Sequence, residues 1–287
     1  MELYQISDNI RGQTLSTIRP NHKTFHSRKG YRKIVERVKY LMNSAFFIFF
    51  LVSVPIILTQ AFLSFAAEEQ SSWIDSMEYQ YSIAARNYDI ALLRKSAEFI
   101  TRQPAQEQRK PHALLMMGCI YWRQELIAYC SNNNVEINRY GKLALEKLNE
   151  AENAGADKYL AGSYKALACQ LLAGRSISNG AIYGPRAARE LKKAQAANPQ
   201  GYFSLLVEAI NANQAPSFAG GSPEKAIVLL QNMARIFPDS TDIKIHLSAA
   251  YSKVGRSEDA RSLIEPVVNS QPFNLLARKI AKIGQGK

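Results

Sequence analysis

Between Lys39 and Glu68 the chain carries no Asp, Glu, Lys or Arg, and within that gap residues 45–67 read AFFIFFLVSVPIILTQAFLSFAA. A bilayer crossing needs about 20 mostly apolar residues, roughly 30 Å of helix, and this run is long enough. Phe46, Phe47, Phe49 and Phe50 cover all sides of such a helix, which argues against a buried core helix with one polar face. A cleaved signal peptide is the stronger rival, because Ser64-Phe65-Ala66 forms a small-x-small cleavage site. Yet the run exceeds a usual signal hydrophobic region, and 44 residues precede it where a short basic segment is expected. Residues 44–67 are therefore expected to be an uncleaved transmembrane signal anchor. Pro55 removes one backbone donor mid-run and predicts a kink there.

Charge sets the expected orientation. Residues 1–43 hold nine Lys/Arg against three acids, whereas the other flank opens with Glu68, Glu69, Asp75 and Glu78 and has no base before Arg86. The positive-inside rule keeps the N-terminus cytoplasmic and sends residues 68–287 across the inner membrane, into the periplasm of a bacterium. The net charge of +12 does not call for nucleic acid, since half of it lies in this tail. Topology and attraction to anionic headgroups account for the tail, which is otherwise polar, aperiodic and expected to be largely disordered. Residues 30–43 form a short amphipathic stretch suited to the cytoplasmic membrane face.

The cysteines and histidines suggest no metal site or disulfide framework. Cys119 and Cys130 fall on one expected helix, about 16 Å apart along its axis, too far for a disulfide. Together with Cys169 they read as small core residues. His22 and His26 share a helical spacing but have no acidic or cysteine partner.

From Trp73 onward Ala, Leu, Lys, Glu and Gln dominate, and apolar residues recur at helical spacing with no alternating strand pattern. Breakers punctuate the chain at Pro104, Gly155, Gly174, Pro199, Pro216, Pro238, Gly255 and Pro272. The best-defined unit spans residues 241–274. Leu247, Ser248 and Tyr251 share one helix, Gly255 breaks it, Ala260, Ile264 and Val267 share a second, and Pro272 ends that. Leu247 and Tyr251 are expected between the helices, with Ser248 and Ala260 small enough for close approach. Gly255 can take a positive φ at the helix end, and Pro272 cannot continue a helix. The second-helix offsets recur at Ala226-Leu230-Met233-Pro238, at Ala187-Leu191-Ala194-Pro199 and at Ala144-Leu148-Ala151-Ala156. First helices precede them at Phe203-Leu206-Val207-Ile210, Tyr164-Leu167-Ala168-Leu171 and Leu114-Met117-Gly118-Tyr121. A looser hairpin with Tyr81, Ala84 and Ala91 covers residues 70–104.

This spacing resembles the tetratricopeptide repeat, whose 34-residue period is one helical hairpin. The resemblance spans residues 70–274 and implies an all-α, tetratricopeptide-like solenoid of helical hairpins over residues 68–287, preceded by the single N-terminal transmembrane helix. A final helix over residues 273–283 should cap the exposed end of the stack. The chain departs from the standard repeat by expected loops at 131–136, 175–183 and 214–222. The last, QAPSFAGGS, is similar to the Pro/Gly-containing loops of some bacterial envelope repeat proteins, including the extracytoplasmic component associated with certain tripartite solute transporters.

No GxGxxG, Walker glycine loop, GxSxG or HExxH is present, and His112 and His246, the only histidines after the hydrophobic run, sit in different repeats. No enzyme activity and no cofactor are expected. The resemblance instead implies binding on a concave surface lined by first helices. Alignment to the motif puts His112, Trp122 and Arg123 there from one repeat and Lys165 from the next. Ser204, Glu208 and Asn211 come from a third, and Asp242, Ile245 and Lys253 from the last. Trp122 beside Arg123 pairs two residue types enriched in interface hot spots, although Trp122 can equally fill a gap under the 131–136 insertion. Repeats that bind chaperone C-termini carry an asparagine-rich carboxylate clamp on these helices; Cys169 and Ala249 stand where asparagine would be wanted. The expected function is a non-catalytic, membrane-anchored scaffold for a protein or peptide partner in the cell envelope. The alternative is a small-molecule-binding accessory of a solute transporter.

Overall fold

The computed structural model describes residues 73–74 and 76–284, and every structural statement below concerns those residues. The basic tail and the 44–67 segment lie outside them, and so does the expected anchor. Among the described residues no helix is long and apolar enough to cross a membrane. The chain divides into two units after Ser76, and the fold is that of the second, Met77–Lys287.

Helices follow one another throughout it. They are α1 (residues 77–87), α2 (Ile90–Thr101), the single turn α3 (Ala105–Gln108), α4 (Pro111–Cys130), α5 (Asn134–Asn153) and α6 (Lys158–Ala173). There follow α7 (Ile177–Ala197), α8 (Tyr202–Gln214), α9 (Pro223–Ile236), α10 (Thr241–Lys253), α11 (Ser257–Ser270) and α12 (Leu275–Gly284). Their starts are written in the sequence: the side chains of Asp89, Asn133, Asp157, Ser176, Ser222 and Ser240 each accept a backbone N–H from the first turn of the helix that follows. Each such cap satisfies a donor the helix cannot, at about 1 kcal/mol. The helices pair as five hairpins, α1–α2, α4–α5, α6–α7, α8–α9 and α10–α11, with α12 after the last.

The expected second-helix positions form the seam of each pair. Ala144, Leu148 and Ala151 of α5 are 0 % exposed, and Ala187, Leu191 and Ala194 of α7, Ala226, Leu230 and Met233 of α9 and Ala260, Ile264 and Val267 of α11 are buried. In the first hairpin Ala91 is exposed, and α2 packs through Leu93, Ser96 and Ile100 instead. Small residues set the spacing. A Cβ on Gly118 would sit 2.5 Å from Leu148 Cγ, and Ser248 Oγ donates to the Ala260 carbonyl at 2.8 Å. Gly155 and Gly255 take φ of +93° and +77° where chain direction reverses.

Two of the three expected insertions are not loops. Residues 131–136 contract to a three-residue turn before α5, with Asn132 at φ +55°. Residues 177–183 are the first turns of α7, because Ser176 caps that helix early and the extra turns project past the packed region; only from Ala187 onward is a residue of α7 buried. The third insertion is a loop with one 3₁₀ turn, Ser217–Ala219, closed by Gly220 at φ +86°.

First helices touch first helices: α4 packs on α6, α6 on α8 and α8 on α10, making a continuous inner layer. The last helix departs from a simple cap. Beyond α10 and α11, α12 also packs on α4, where Lys279 donates to Asn132 Oδ1 at 2.6 Å and lies 4.7 Å from the Tyr129 ring. The stack thereby closes on itself.

Candidate functional site

The inner layer is held together by an aromatic series. Trp122 meets Tyr164 edge-on at 5.2 Å, Tyr164 meets Phe203 at 5.2 Å, Phe203 meets Tyr202 at 5.3 Å, and Tyr202 meets Phe237 at 5.1 Å. Each contact joins one hairpin to the next or pins its start. Trp122 is 8 % exposed, so it is a core residue that couples two repeats through Tyr164, and not a side chain presented to a partner.

Arg123 lies half-buried between rings, with its guanidinium carbon 4.9 Å from the Trp122 ring centre and 5.6 Å from that of Tyr88. Burial alone would weaken its charge, but Tyr81, Tyr88, Asp242 and Tyr164 outweigh it and its pKa stays above the ordinary value. Burial pushes Tyr81 up to about 12. The thiols of Cys119, Cys130 and Cys169 are likewise pushed by burial to about 12, which disfavours the thiolate form. Burial lowers the His246 pKa, opposed by Asp242.

Lys165 is not on an open concave surface. It is 1 % exposed, and its ammonium sits 2.5 Å from Glu152 of α5 and 2.9 Å from Glu190 of α7. The position points between two second helices, because it is the place in a first helix that faces the seam of adjoining hairpins. Glu208 of α8, one turn beyond Ser204 (the position equivalent to Lys165), also bridges second helices, accepting from Gln195 of α7 at 2.9 Å and from Lys225 of α9 at 3.0 Å. Both residues are consumed by the fold. For Glu190, burial would raise the carboxyl, but Lys165 and Lys193 hold it below its ordinary value.

Of the remaining candidates, Ser204 and Ile245 are buried, His112 pairs with Glu78 of α1 at 3.2 Å, and Asn211 is half-buried on α8. Lys253 is exposed at the end of α10 and donates to the Asn213 carbonyl. It also borders a cavity of about 580 Å³ where first helices end. Residues from four consecutive hairpins line it, among them Asn132, Asn134, Gln170, Arg175, Asn213, Gln214 and Ser252, and α12 closes it with Ile280 and Ile283. Of the residues expected on the concave face, only Lys253 lies there. The other lining residues were missed because they sit at helix ends, beyond the motif positions that define the repeat.

Residues 217–283 match the tetratricopeptide repeat family model. No curated protein matches the chain. A crystal structure of a thermophilic TPR protein of Thermus thermophilus is similar over 76 % of this chain and 100 % of that one, with a TM-score of 0.52 and 15 % identity. The fold is an all-α, tetratricopeptide-like helical solenoid. At that identity the likeness concerns the fold alone. Tetratricopeptide repeats generally bind protein partners and are generally not enzymes, and the inner layer is the surface such a solenoid turns to them.

Proposed function

We propose that the chain is a non-catalytic scaffold, tethered to the inner membrane by residues 44–67, that presents its solenoid in the periplasm and binds a protein or peptide there. The uncharged run and the basic tail support the tether and its orientation. The observation that carries the binding reading is the cavity that four consecutive first-helix ends and α12 share, with amides in its wall for backbone hydrogen bonding. Lys253 borders it and Asn211 is half-buried two residues before the lining Asn213, and they take the place of Trp122 and Lys165 as residues a partner would touch. Affinity capture of the full-length protein from detergent-solubilised native membranes tests this, with Asn211→Ala/Lys253→Ala as the comparison. A partner that is recovered with the parent chain and lost with the double variant agrees with the scaffold. Recovery that is identical with both contradicts the assigned surface.

The second reading, a solute-binding accessory of a transporter, is favoured by the same cavity. Its volume lies within the ≈300–1,000 Å³ of small-molecule sites, and α12 covers one side of it.

A further inference from the structure

The cavity between the first-helix ends and α12 has a charge imbalance. Two cations, Arg175 and Lys253, line it, and no Asp or Glu does. Neither cation has a carboxylate partner within 4.0 Å among the described residues, unlike Lys165, which lies between Glu152 and Glu190. Lys253 gives one of its donors to the Asn213 carbonyl, which leaves its charge unbalanced. Partial desolvation of its ammonium beside the cavity displaces the Lys253 pKa downward.

The wall also holds unmet hydrogen-bonding groups. Gln170 donates its amide N–H to the Val207 carbonyl at 3.1 Å, which fixes the amide orientation and leaves Oε1 buried without a partner. Asn213 is 4 % exposed and its Oδ1 is also unpartnered, as is Nε of Arg175. A buried polar group left without a partner costs about 1–3 kcal/mol, so several around one cavity mark a place where something else completes them.

We infer that this cavity binds a small organic anion, a carboxylate or phosphate ester that also carries hydroxyl or amine donors. The anionic group balances Arg175 and Lys253, and the donors serve the acceptors of Gln170 and Asn213. The inference rests on the solute-binding reading and shares its cavity with the scaffold reading, so the peptide arm of the test separates the two.

The test is calorimetric titration of the full chain in detergent with citrate, malate, glycerol 3-phosphate and inorganic phosphate. A short peptide, with its C-terminus free or amidated, is titrated in parallel. At least one of the organic anions is expected to bind saturably. Its affinity should fall about tenfold in Arg175→Gln and again in Lys253→Gln, the loss of one charge-assisted hydrogen bond each. Lys192→Gln, on the exposed side of α7, should leave it unchanged. Arg175→Lys, which keeps the charge, should recover part of the loss. Absence of saturable binding by all the organic anions, or binding indifferent to both charge removals, overturns the inference. So does a free-C-terminal peptide that binds more tightly than every small anion.

Discussion

Lys279 donates a 2.6 Å hydrogen bond to Asn132, which joins the last helix to a turn 147 residues earlier in the chain. In an open solenoid each repeat touches only its neighbours, so this contact is what makes the stack closed. Lys279→Ala removes both the hydrogen bond and the contact with the Tyr129 ring. The expected loss is about 1–2 kcal/mol, confined to the docking of α12. Hydrogen exchange over residues 275–284 should quicken about tenfold while the main melting transition moves little. Unchanged exchange there would mean that α12 is held by its contacts with α10 and α11 alone.

The buried ammonium of Lys165 lies between Glu152 and Glu190 and bridges α5 to α7. Lys165→Ala leaves Glu152 and Glu190 with only the half-exposed Lys193 beside them, and should cost up to about 3–5 kcal/mol in chemical denaturation. Lys165→Ala combined with Glu190→Gln should recover much of that loss, because one of the uncompensated charges goes with it. Additive losses in the double variant would contradict the pairing.

Glu125 is 0 % exposed and neither carboxyl oxygen has a hydrogen-bond partner. It rests on Gly141, where a Cβ would meet its Oε1 at 2.5 Å, with Leu172 alongside. Burial raises its pKa well above the ordinary value. A carboxyl whose folded pKa is raised contributes its stability fully below its unfolded value, and that contribution is lost as pH climbs through the folded value. Unfolding midpoints should therefore fall as pH rises from about 4.5 toward the alkaline side. Glu125→Gln should flatten that slope and match or exceed the parent at neutral pH. A variant with the parent's slope would place the pH dependence elsewhere.

Gly118 allows α4 and α5 to approach, and an added methyl would lie 2.5 Å from Leu148 Cγ and 2.6 Å from its Cδ2. Gly118→Ala gains helix propensity of about 1 kcal/mol but forces the pair apart, with an overpacking cost of about 1–3 kcal/mol. Net destabilisation is expected, together with partial rescue by Leu148→Ala in a double-mutant cycle. A more stable Gly118→Ala would show that propensity, not close approach, governs that position.

The hairpins could be read from the chain because their seam residues recur at fixed offsets, and Ala144-Leu148-Ala151 and its three later counterparts are all buried as that pattern requires. The loop at 214–222 was equally legible, since its Pro and Gly residues admit no helix. The start of α7 was not. Residues 177–183 carry no buried face, so nothing periodic marked them as helix, and the signal that could have done so was Ser176 as a cap. Lys165 and Glu208 read as surface residues because charge normally seeks solvent. Their burial depends on partners at Glu152, Glu190, Gln195 and Lys225, which only the packing of three consecutive helices brings together. The cavity escaped for a related reason: its wall comes from helix ends and from α12, whose return to α4 has no local sequence signature.

The measurement that tests the binding account most directly is site-specific photo-crosslinking in intact membranes, with the probe amino acid placed in turn at Asn211, Lys253 and Lys192. The account predicts protein adducts from Asn211 and Lys253 beside the inner layer and none from Lys192 on α7. Adducts that are equal at all three positions, or confined to Lys192, would contradict it.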